Sequence, residues 1–165
     1  MWLAGLATFL SLPIIIRKWL GTTLKSLSRS YEELDRKDRW KFQAWVILFA
    51  SITGYLSGNL WCIAGSAHLI VGVGFFPTIY RKHNGKPVHL WIHMSLTLVA
   101  VALYYTGMII TAKYAIYLAL VNLIGVVSMF IYGNRKHDWI WWLEILTFGL
   151  IYIYLFIEKV WPIFI

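Results

Sequence analysis

Long stretches without charged residues constrain this chain more than any other feature of its sequence. Residues 42–80 contain no Asp, Glu, Lys or Arg, and neither do residues 87–112 or 114–134. A helix that crosses the hydrocarbon core of a bilayer needs roughly 20 consecutive, mostly apolar residues. Each stretch is long enough for one such helix, and the first is long enough for two. The sequence therefore predicts an all-α polytopic membrane protein.

The composition excludes the main alternatives. Of the 165 residues, 60% are hydrophobic and only 13% are charged, whereas soluble domains carry about 25% charged residues. Aromatic residues make up 18% of the chain, which excludes a disordered protein because such chains contain few aromatics. Cys62 is the single cysteine, so a disulfide-bonded scaffold is excluded as well.

Six spanning helices follow from the positions of the uncharged stretches. Gly58 and Asn59 predict a turn that divides residues 42–80 into two helices. The first helix is short enough to be a signal anchor instead, although no basic residue precedes it and no small-residue cleavage site follows it. The predicted helices of this single transmembrane domain, residues 1–165, cover about 2–17, 43–58, 61–80, 88–108, 114–133 and 139–158.

The Lys and Arg residues predict the orientation of these helices. Thirteen of the 15 lie in loops 17–42, 81–88 and 134–138, and the opposite side contains only Lys113 and Lys159. Lys and Arg accumulate in the cytoplasmic loops of membrane proteins. We therefore expect a multi-pass protein of the cytoplasmic (inner or plasma) membrane whose termini lie outside and whose three basic loops lie in the cytoplasm.

The first basic loop contains a segment with helical periodicity, residues 22–42. Charged residues of both signs occupy the other faces of this segment, which predicts an amphipathic helix in the lipid headgroup region. A docking site for a cytosolic partner is the alternative. A nucleic-acid module is excluded because the segment has no aromatic and basic platform. The apolar residues at helical spacing are Leu24, Leu27, Tyr31 and Leu34.

Two parts of the sequence match each other at a nearly constant distance. Residues 68–70 (His-Leu-Ile) match residues 122–124 (Asn-Leu-Ile), and Arg-Lys-His occurs at both 81–83 and 135–137, always 54 residues apart. We interpret the matches as a duplicated αα-hairpin, with chance similarity between apolar segments as the alternative. Four more matches lie 50 residues apart, where Trp91, Leu96, Thr97 and Tyr104 correspond to Trp141, Leu146, Thr147 and Tyr154.

A third copy is fainter. Residues 13–18 and 77–82 both begin with proline and end with Arg-Lys. The sequence thus predicts six helices arranged as three repeated αα-hairpins. Many transporters are built from such repeats and bind their substrate near the midplane between them.

Three short motifs resemble those of known transporter families. Residues 76–83, Phe-Pro-Thr-Ile-Tyr-Arg-Lys-His, resemble the Pro-containing motif of the SWEET, SemiSWEET and PQ-loop transporters. Residues 119–125 resemble the third helix of those transporters, in which an Asn faces the substrate. Residues 135–142 resemble the basic loop and Trp-x-x-Trp stretch of nicotinamide riboside transporters. The resemblance implies transport of a small polar, largely uncharged solute by alternating access.

Four residues are candidate contacts for this solute. The resemblance implies this role for Asn122, and the repeat places His68 at the matching position of the other copy. Tyr104 and Tyr105 would supply aromatic walls. Polar residues inside a span normally face the bundle interior, so interhelical hydrogen bonds are the alternative role of Asn122 and His68.

Two prolines and a His–Glu pair complete the candidate site. Pro13 and Pro77 each remove a backbone hydrogen bond near the predicted cytoplasmic end of a helix. The resemblance implies that the kink at Pro77 is a gating hinge, and a fixed bend is the alternative. Glu144 is the only acid well inside a predicted span, and His93 is expected at similar depth. The two predict a proton relay, unless both side chains extend to the headgroups.

We predict no catalytic residue, cofactor or bound metal, since the sequence has no nucleotide-binding loop and no nucleophile motif. The expected partners are the bilayer and the solute, without nucleic acid. One alternative is a non-catalytic subunit that assembles with partner membrane proteins or with copies of itself. The other is a membrane-embedded metalloenzyme that would use His83, His89, His93, His137 and Glu144. The glycines interpreted as helix-packing positions are Gly72, Gly74, Gly125 and Gly149.

Overall fold

Six α-helices make up most of the part of the chain that the structure, a computed structural model, describes. The all-α prediction is therefore confirmed for this part. The described residues are 2–20, 31, 34–35, 37–75, 82–83, 86–87, 90–132 and 139–163. The helices are α1 (Trp2–Leu20), α2 (Arg39–Ser57), α3 (Leu60–Leu69), α4 (Leu90–Thr111), α5 (Ala115–Tyr132) and α6 (Trp139–Lys159).

Three short elements accompany the helices. A π-helix, Ile70–Phe75, continues α3 without interruption. Strand β1 (Lys82–His83) pairs antiparallel with β2 (Lys86–Pro87). A 3-10 helix, Trp161–Ile163, follows α6.

The turn between α2 and α3 has the geometry that Gly58 and Asn59 predict. Gly58 has φ +59°, in the left-handed region, and ends α2, a common glycine position at the end of a helix. Asn59 precedes α3, and its side-chain oxygen accepts a hydrogen bond from the Trp61 backbone N–H at 2.8 Å. This is the N-cap arrangement that asparagine favours. The predicted division into two helices is confirmed for residues 42–75, the part of this stretch that the structure describes.

An aromatic cluster joins α1, α2 and α6. The Phe9 ring stacks on Tyr152 at 5.6 Å between centroids, and the Phe49 ring lies 5.8 Å from Tyr152. Trp45 stacks on Phe49 at 5.1 Å, and its indole N–H donates to the Thr8 carbonyl oxygen at 2.5 Å. Aromatic pairs at these distances stabilise a fold beyond the area that they bury. Together they attach α1 to the other helices.

A second cluster lies at the end of the bundle where the α2–α3 turn and the α4–α5 turn are located. We call it the Tyr154 cluster. It contains side chains from α3, α4 and α6 and from the start of α5. Its buried members are Cys62, Tyr104, Tyr105, Met108, Ala115, Ile151, Tyr154 and Leu155.

Two helical segments are long and apolar enough to cross a membrane, Trp91–Thr111 in α4 and Ile140–Lys159 in α6. Three other apolar segments are shorter, namely Trp2–Ser11, Leu60–Phe75 and Ala115–Ser128. The length and composition of α4 and α6 thus support a chain that could cross a membrane. The six-span arrangement stays a prediction.

The predicted amphipathic segment, residues 22–42, is described only in its second half. Its last four residues belong to α2, which begins at Arg39 and not near residue 43. Leu34 is buried in the aromatic cluster, and the Tyr31 ring packs edge-on against Phe42 at 6.0 Å. We expected the Leu34 and Tyr31 side chains to face lipid. They contact other parts of the protein instead.

Candidate functional site

The π-helix that continues α3 is the most unusual backbone feature of the described residues. Side chains of two other helices donate hydrogen bonds to its carbonyl oxygens. His93 on α4 donates from Nδ1 to the Gly72 oxygen at 2.7 Å, and Gln43 on α2 donates from Nε2 to the Gly74 oxygen at 2.9 Å. A carbonyl oxygen only accepts, so the His93 proton lies on Nδ1. The π-helix is thus held in place from both sides.

The sequence explains why the Gly72 carbonyl is available to His93. Pro77 lies outside the described residues, but proline has no N–H in any conformation. The carbonyls of Gly72 and Val73, five and four residues earlier, therefore cannot accept a backbone hydrogen bond from position 77. The His93 imidazole supplies a hydrogen bond to one of these two carbonyls, that of Gly72.

Glycine allows α4 to approach the π-helix closely. A Cβ atom at Gly72 would lie 2.7 Å from Leu96 Cβ, closer than two carbon atoms can pack. Gly125 on α5 also faces neighbouring side chains, with its added Cβ 3.1 Å from atoms of Leu143 and Leu146. The packing role predicted for Gly149 is wrong for the part of the chain that the structure describes, where nothing lies within 4 Å of a Cβ added there.

Asn122 makes the interhelical hydrogen bond that was the alternative to solute binding. Its side-chain nitrogen donates to Thr147 Oγ1 on α6 at 2.6 Å, and Asn122 is only 5% exposed. Thr147 Oγ1 in turn donates to the Leu143 carbonyl at 2.9 Å. The Asn122 amide thus joins α5 to α6 in this conformation, and a solute would have to compete with Thr147 for its N–H groups.

His68 and Tyr104 also bond within the protein. His68 donates from Nδ1 to the Ala64 carbonyl of its own helix at 2.8 Å. Tyr104 is buried between α3 and α4, where its hydroxyl and that of Ser66 share a hydrogen bond of 2.5 Å. The Tyr104 ring lies against Gly65. Tyr104 therefore packs inside the hairpin that α3 and α4 form.

Tyr105 is different, because its buried hydroxyl has no hydrogen-bond partner among the described residues. The Trp2 indole N–H shares this property, whereas the Tyr154 hydroxyl lies within reach of the Thr111 side chain. Tyr105 belongs to the Tyr154 cluster, and Trp2 packs against it.

The remaining candidates are placed only in part. Glu144 is half-buried on α6, and its pairing with His93 stays a prediction. Pro13 lies within α1, and its side chain, like all of Pro77, is outside the described residues. No three His, Cys, Asp or Glu residues lie close enough to hold a metal in the described part of the chain. His89, His137 and the side chain of His83 fall outside that part.

Sequence reasoning missed four residues that the structure brings into the site. Thr147 and Tyr154 both occur among the residues matched by the repeat, so a comparison of the two copies singles them out. Gln43 and Ser66 carry no such signal, because their roles depend on which helices are neighbours.

Comparisons with known proteins identify no relative. No protein-family model matches the chain, and no curated protein or solved structure matches it.

Proposed function

We propose that this chain is a six-span membrane protein that carries a small polar, largely uncharged solute across the cytoplasmic membrane by alternating access. The observation that carries the proposal is the change from α-helix to π-helix at Ile70, with carbonyls held by His93 and Gln43. Transporters commonly bind and move their substrates at interrupted membrane helices.

The hydrogen bonds at the π-helix support a hinge at this position. Inside a membrane, irregular backbone is tolerated only where neighbouring groups satisfy its N–H and C=O groups. Here two of these groups bond to side chains, which move independently of the helix backbone. The chain can therefore bend at Gly74 by exchanging the Gln43 bond, while Gly72 stays packed against Leu96 of α4.

The exposed surface of α5 supports a position in the bilayer. Its outward side chains are large and apolar, and a soluble protein rarely exposes so extended an apolar patch. In a bilayer these side chains contact lipid tails. The most exposed of them are Tyr117, Leu123, Ile124 and Ile131.

Uptake by proteoliposomes tests this function. The purified chain is first screened by thermal unfolding against sugars, nucleosides, vitamins and amino acids, because a ligand that binds the folded state raises its stability. Labelled forms of the solutes that stabilise the chain are then offered to vesicles that contain it. We expect saturable uptake of one solute class. A folded protein that takes up none of them contradicts the proposal.

Gln43 provides the test of the hinge. Gln43→Leu removes the donor to Gly74, and we expect at least tenfold slower uptake with the fold retained. The matched control is Ser51→Leu, the same change from polar to Leu at an exposed position of α2, and we expect its uptake to be unchanged. Equal uptake by both variants would contradict the role of Gln43.

A second function is favoured by the Asn122–Thr147 hydrogen bond. Because that bond uses the Asn122 amide for packing, a membrane subunit without transport activity accounts for Asn122 equally well. In that case the exposed α5 face binds another membrane protein. Purification of the chain with a stoichiometric partner, together with an absence of uptake, would establish this alternative.

A further inference from the structure

We propose that His93 selects between two backbone registers of the segment Ile70–Phe75, the π-helix of the structure and a continuous α-helix. In the π register His93 bonds to the Gly72 carbonyl, and loss of that bond lets the segment convert to α-helix. The proposal goes beyond transport, because it concerns a conformational change of the chain that does not require a solute.

The missing N–H of Pro77 affects the two registers differently. A π-helix joins each carbonyl to the N–H five residues later, whereas an α-helix joins it to the N–H four residues later. Residue 77 would therefore be the partner of Gly72 in the π register and of Val73 in the α register. Because proline cannot donate, each register deprives one of these carbonyls of its backbone donor. The proline alone thus favours neither register.

The position of His93 breaks this balance. Its Nδ1 lies 2.7 Å from the oxygen of buried Gly72 and donates to it, so α4 supplies the hydrogen bond that residue 77 cannot supply in the π register. In the α register that oxygen would have a backbone donor, the N–H of residue 76. A hydrogen bond contributes most where a buried group would otherwise be left unsatisfied. The His93 bond therefore stabilises the π register more than the α register.

Gln43 makes a second bond that depends on the register. Its Nε2 donates to the Gly74 oxygen at 2.9 Å. Conversion to α-helix would rotate the residues after the π turn by about 100° and advance them by about 1.5 Å, the angle and rise of one residue. The Gly74 oxygen would then turn away from Gln43. Side chains of α2 and α4 thus hold the same register.

The packing of the two glycines indicates where the conversion occurs. An added Cβ at Gly72 would lie 2.7 Å from Leu96 Cβ, so this residue stays with α4. At Gly74 an added Cβ would lie 3.7 and 3.8 Å from two side chains of α2, which is ordinary van der Waals contact. Phe75 is 61% exposed. The segment can therefore change register from Gly74 onward while α3 and α4 stay together.

Spin labels at residue 75 measure the register. Phe75→Cys is combined with Leu98→Cys on α4 in one protein and with Leu48→Cys on α2 in another, all at exposed positions, in a Cys62→Ala background. Because α2 and α4 contact the segment from different sides, a displacement of residue 75 changes at least one of the two distances. A rotation of 100° at the radius of a helix moves a Cα atom by about 4 Å.

Three variants of α4 separate the hydrogen bond from packing. His93→Leu removes the donor and keeps most of the bulk, whereas His93→Asn keeps an N–H donor near the position of Nδ1 and removes bulk. Ser95→Leu is the matched control, the same change from polar to Leu at an exposed position. We expect a shift of about 4 Å in at least one distance for His93→Leu and unchanged distances for the other two variants.

The protonation of His93 gives a second test that needs no change at this position. Nitrogen-15 NMR of the full chain with labelled histidine distinguishes Nδ1–H from Nε2–H, and the His93 signals are those that His93→Asn lacks. We expect a proton on Nδ1, since the bond to Gly72 requires it. A proton on Nε2 alone would overturn the proposal, even if His93→Leu did not fold.

Three distance results would also overturn it. Unchanged distances in folded His93→Leu would show that His93 does not select the register. A shift in His93→Asn as large as that in His93→Leu would show that the histidine acts through its volume. A shift of the same size in Ser95→Leu would show that the segment responds to any change on α4. None of these results depends on solute uptake, so a failure of the transport proposal leaves this one standing.

Discussion

The two hairpins that the repeat relates, α3–α4 and α5–α6, differ in how closely their helices approach. In the first hairpin, a Cβ added to Gly65 would lie 2.9 Å from the Ala100 carbonyl oxygen, and one added to Gly72 would lie 2.7 Å from Leu96 Cβ. In the second, a Cβ added to Gly125 would meet the ends of two leucine side chains at 3.1 Å, and Gly149 has open space. Among the described glycines of the two hairpins, those of the first hairpin thus approach the neighbouring helix more closely than those of the second.

Both hairpins also contain interhelical hydrogen bonds. The first has bonds between Tyr104 and Ser66 and between His93 and Gly72. The second has the bond between Asn122 and Thr147 and, just before α5, the bond from the Tyr114 hydroxyl to Glu158. The matching sequences thus form one hairpin whose helices pack closely at glycines, and a second whose helices are held apart by leucine side chains. We infer that the first is the rigid frame and that the second moves against it.

The largest expected effect is that of Gly72→Ala. The new methyl group would overlap Leu96 Cβ and contact the backbone of Leu96 and Thr97 at 3.4 Å. Overpacking of this kind typically costs 1–3 kcal/mol, so we expect the free energy of unfolding to fall by about 2 kcal/mol. Denaturant unfolding in detergent measures it. An unchanged value would mean that α3 and α4 separate easily and would remove the contrast between the hairpins.

Tyr104→Phe and Tyr154→Phe compare the hydroxyls of the two copies. Tyr104→Phe breaks the bond with Ser66, and a buried hydrogen bond contributes about 1 kcal/mol. We expect a loss of that size for Tyr104→Phe and a smaller loss for Tyr154→Phe, whose hydroxyl is within reach of the Thr111 side chain, measured by the same unfolding experiment. Equal losses would show that Thr111 bonds to Tyr154 as strongly as Ser66 bonds to Tyr104.

A double-mutant cycle measures the contact that joins α5 to α6. Asn122→Val and Thr147→Val each remove one partner of the hydrogen bond. Interhelical side-chain bonds in membranes contribute about 0.6 kcal/mol on average, and we expect a coupling energy of this size. A coupling of zero would sharpen the comparison further, because this bond would then add nothing to the stability of the second hairpin.

The smallest expected effect has the opposite sign. Gly149→Ala places a methyl group in open space on a helix, where alanine is favoured over glycine by roughly 0.5–1 kcal/mol. We expect a gain of about 0.5 kcal/mol in unfolding free energy. A loss of stability would show that α6 packs as closely at this position as α3 does at Gly72.

Much of the helical fold could be predicted, because uncharged stretches and turn residues are local features. The sixth helix was predicted at 139–158 and is Trp139–Lys159, and the Gly58–Asn59 turn is where the sequence placed it. The start of α2 was misplaced because hydrophobicity alone ignores local charge pairing. Lys41 bonds to Asp38 at 2.5 Å, and the Arg39 guanidinium lies 5.2 Å from the centre of the Tyr31 ring. These contacts suit a helix that starts among charged residues.

The site could be predicted only in outline. The sequence singled out His93, Asn122 and Pro77 as polar or helix-breaking residues in apolar surroundings. It could not reveal the π-helix, because the carbonyls of that segment are satisfied by Gln43 and His93 from other helices. Hydrogen-bond partners of this kind depend on the packing of helices, which no local pattern encodes.

Distances between spin labels test most directly whether the first hairpin is the frame and the second moves. Cysteines replace exposed residues, Ile63→Cys on α3, Leu98→Cys on α4 and Leu123→Cys on α5, in a Cys62→Ala background. In proteoliposomes without solute, we predict a single narrow distance distribution for the pair at 63 and 98. For the pair at 98 and 123 we predict a broad or two-peaked distribution. Equal widths for the two pairs, or a broader distribution between 63 and 98, would contradict the account.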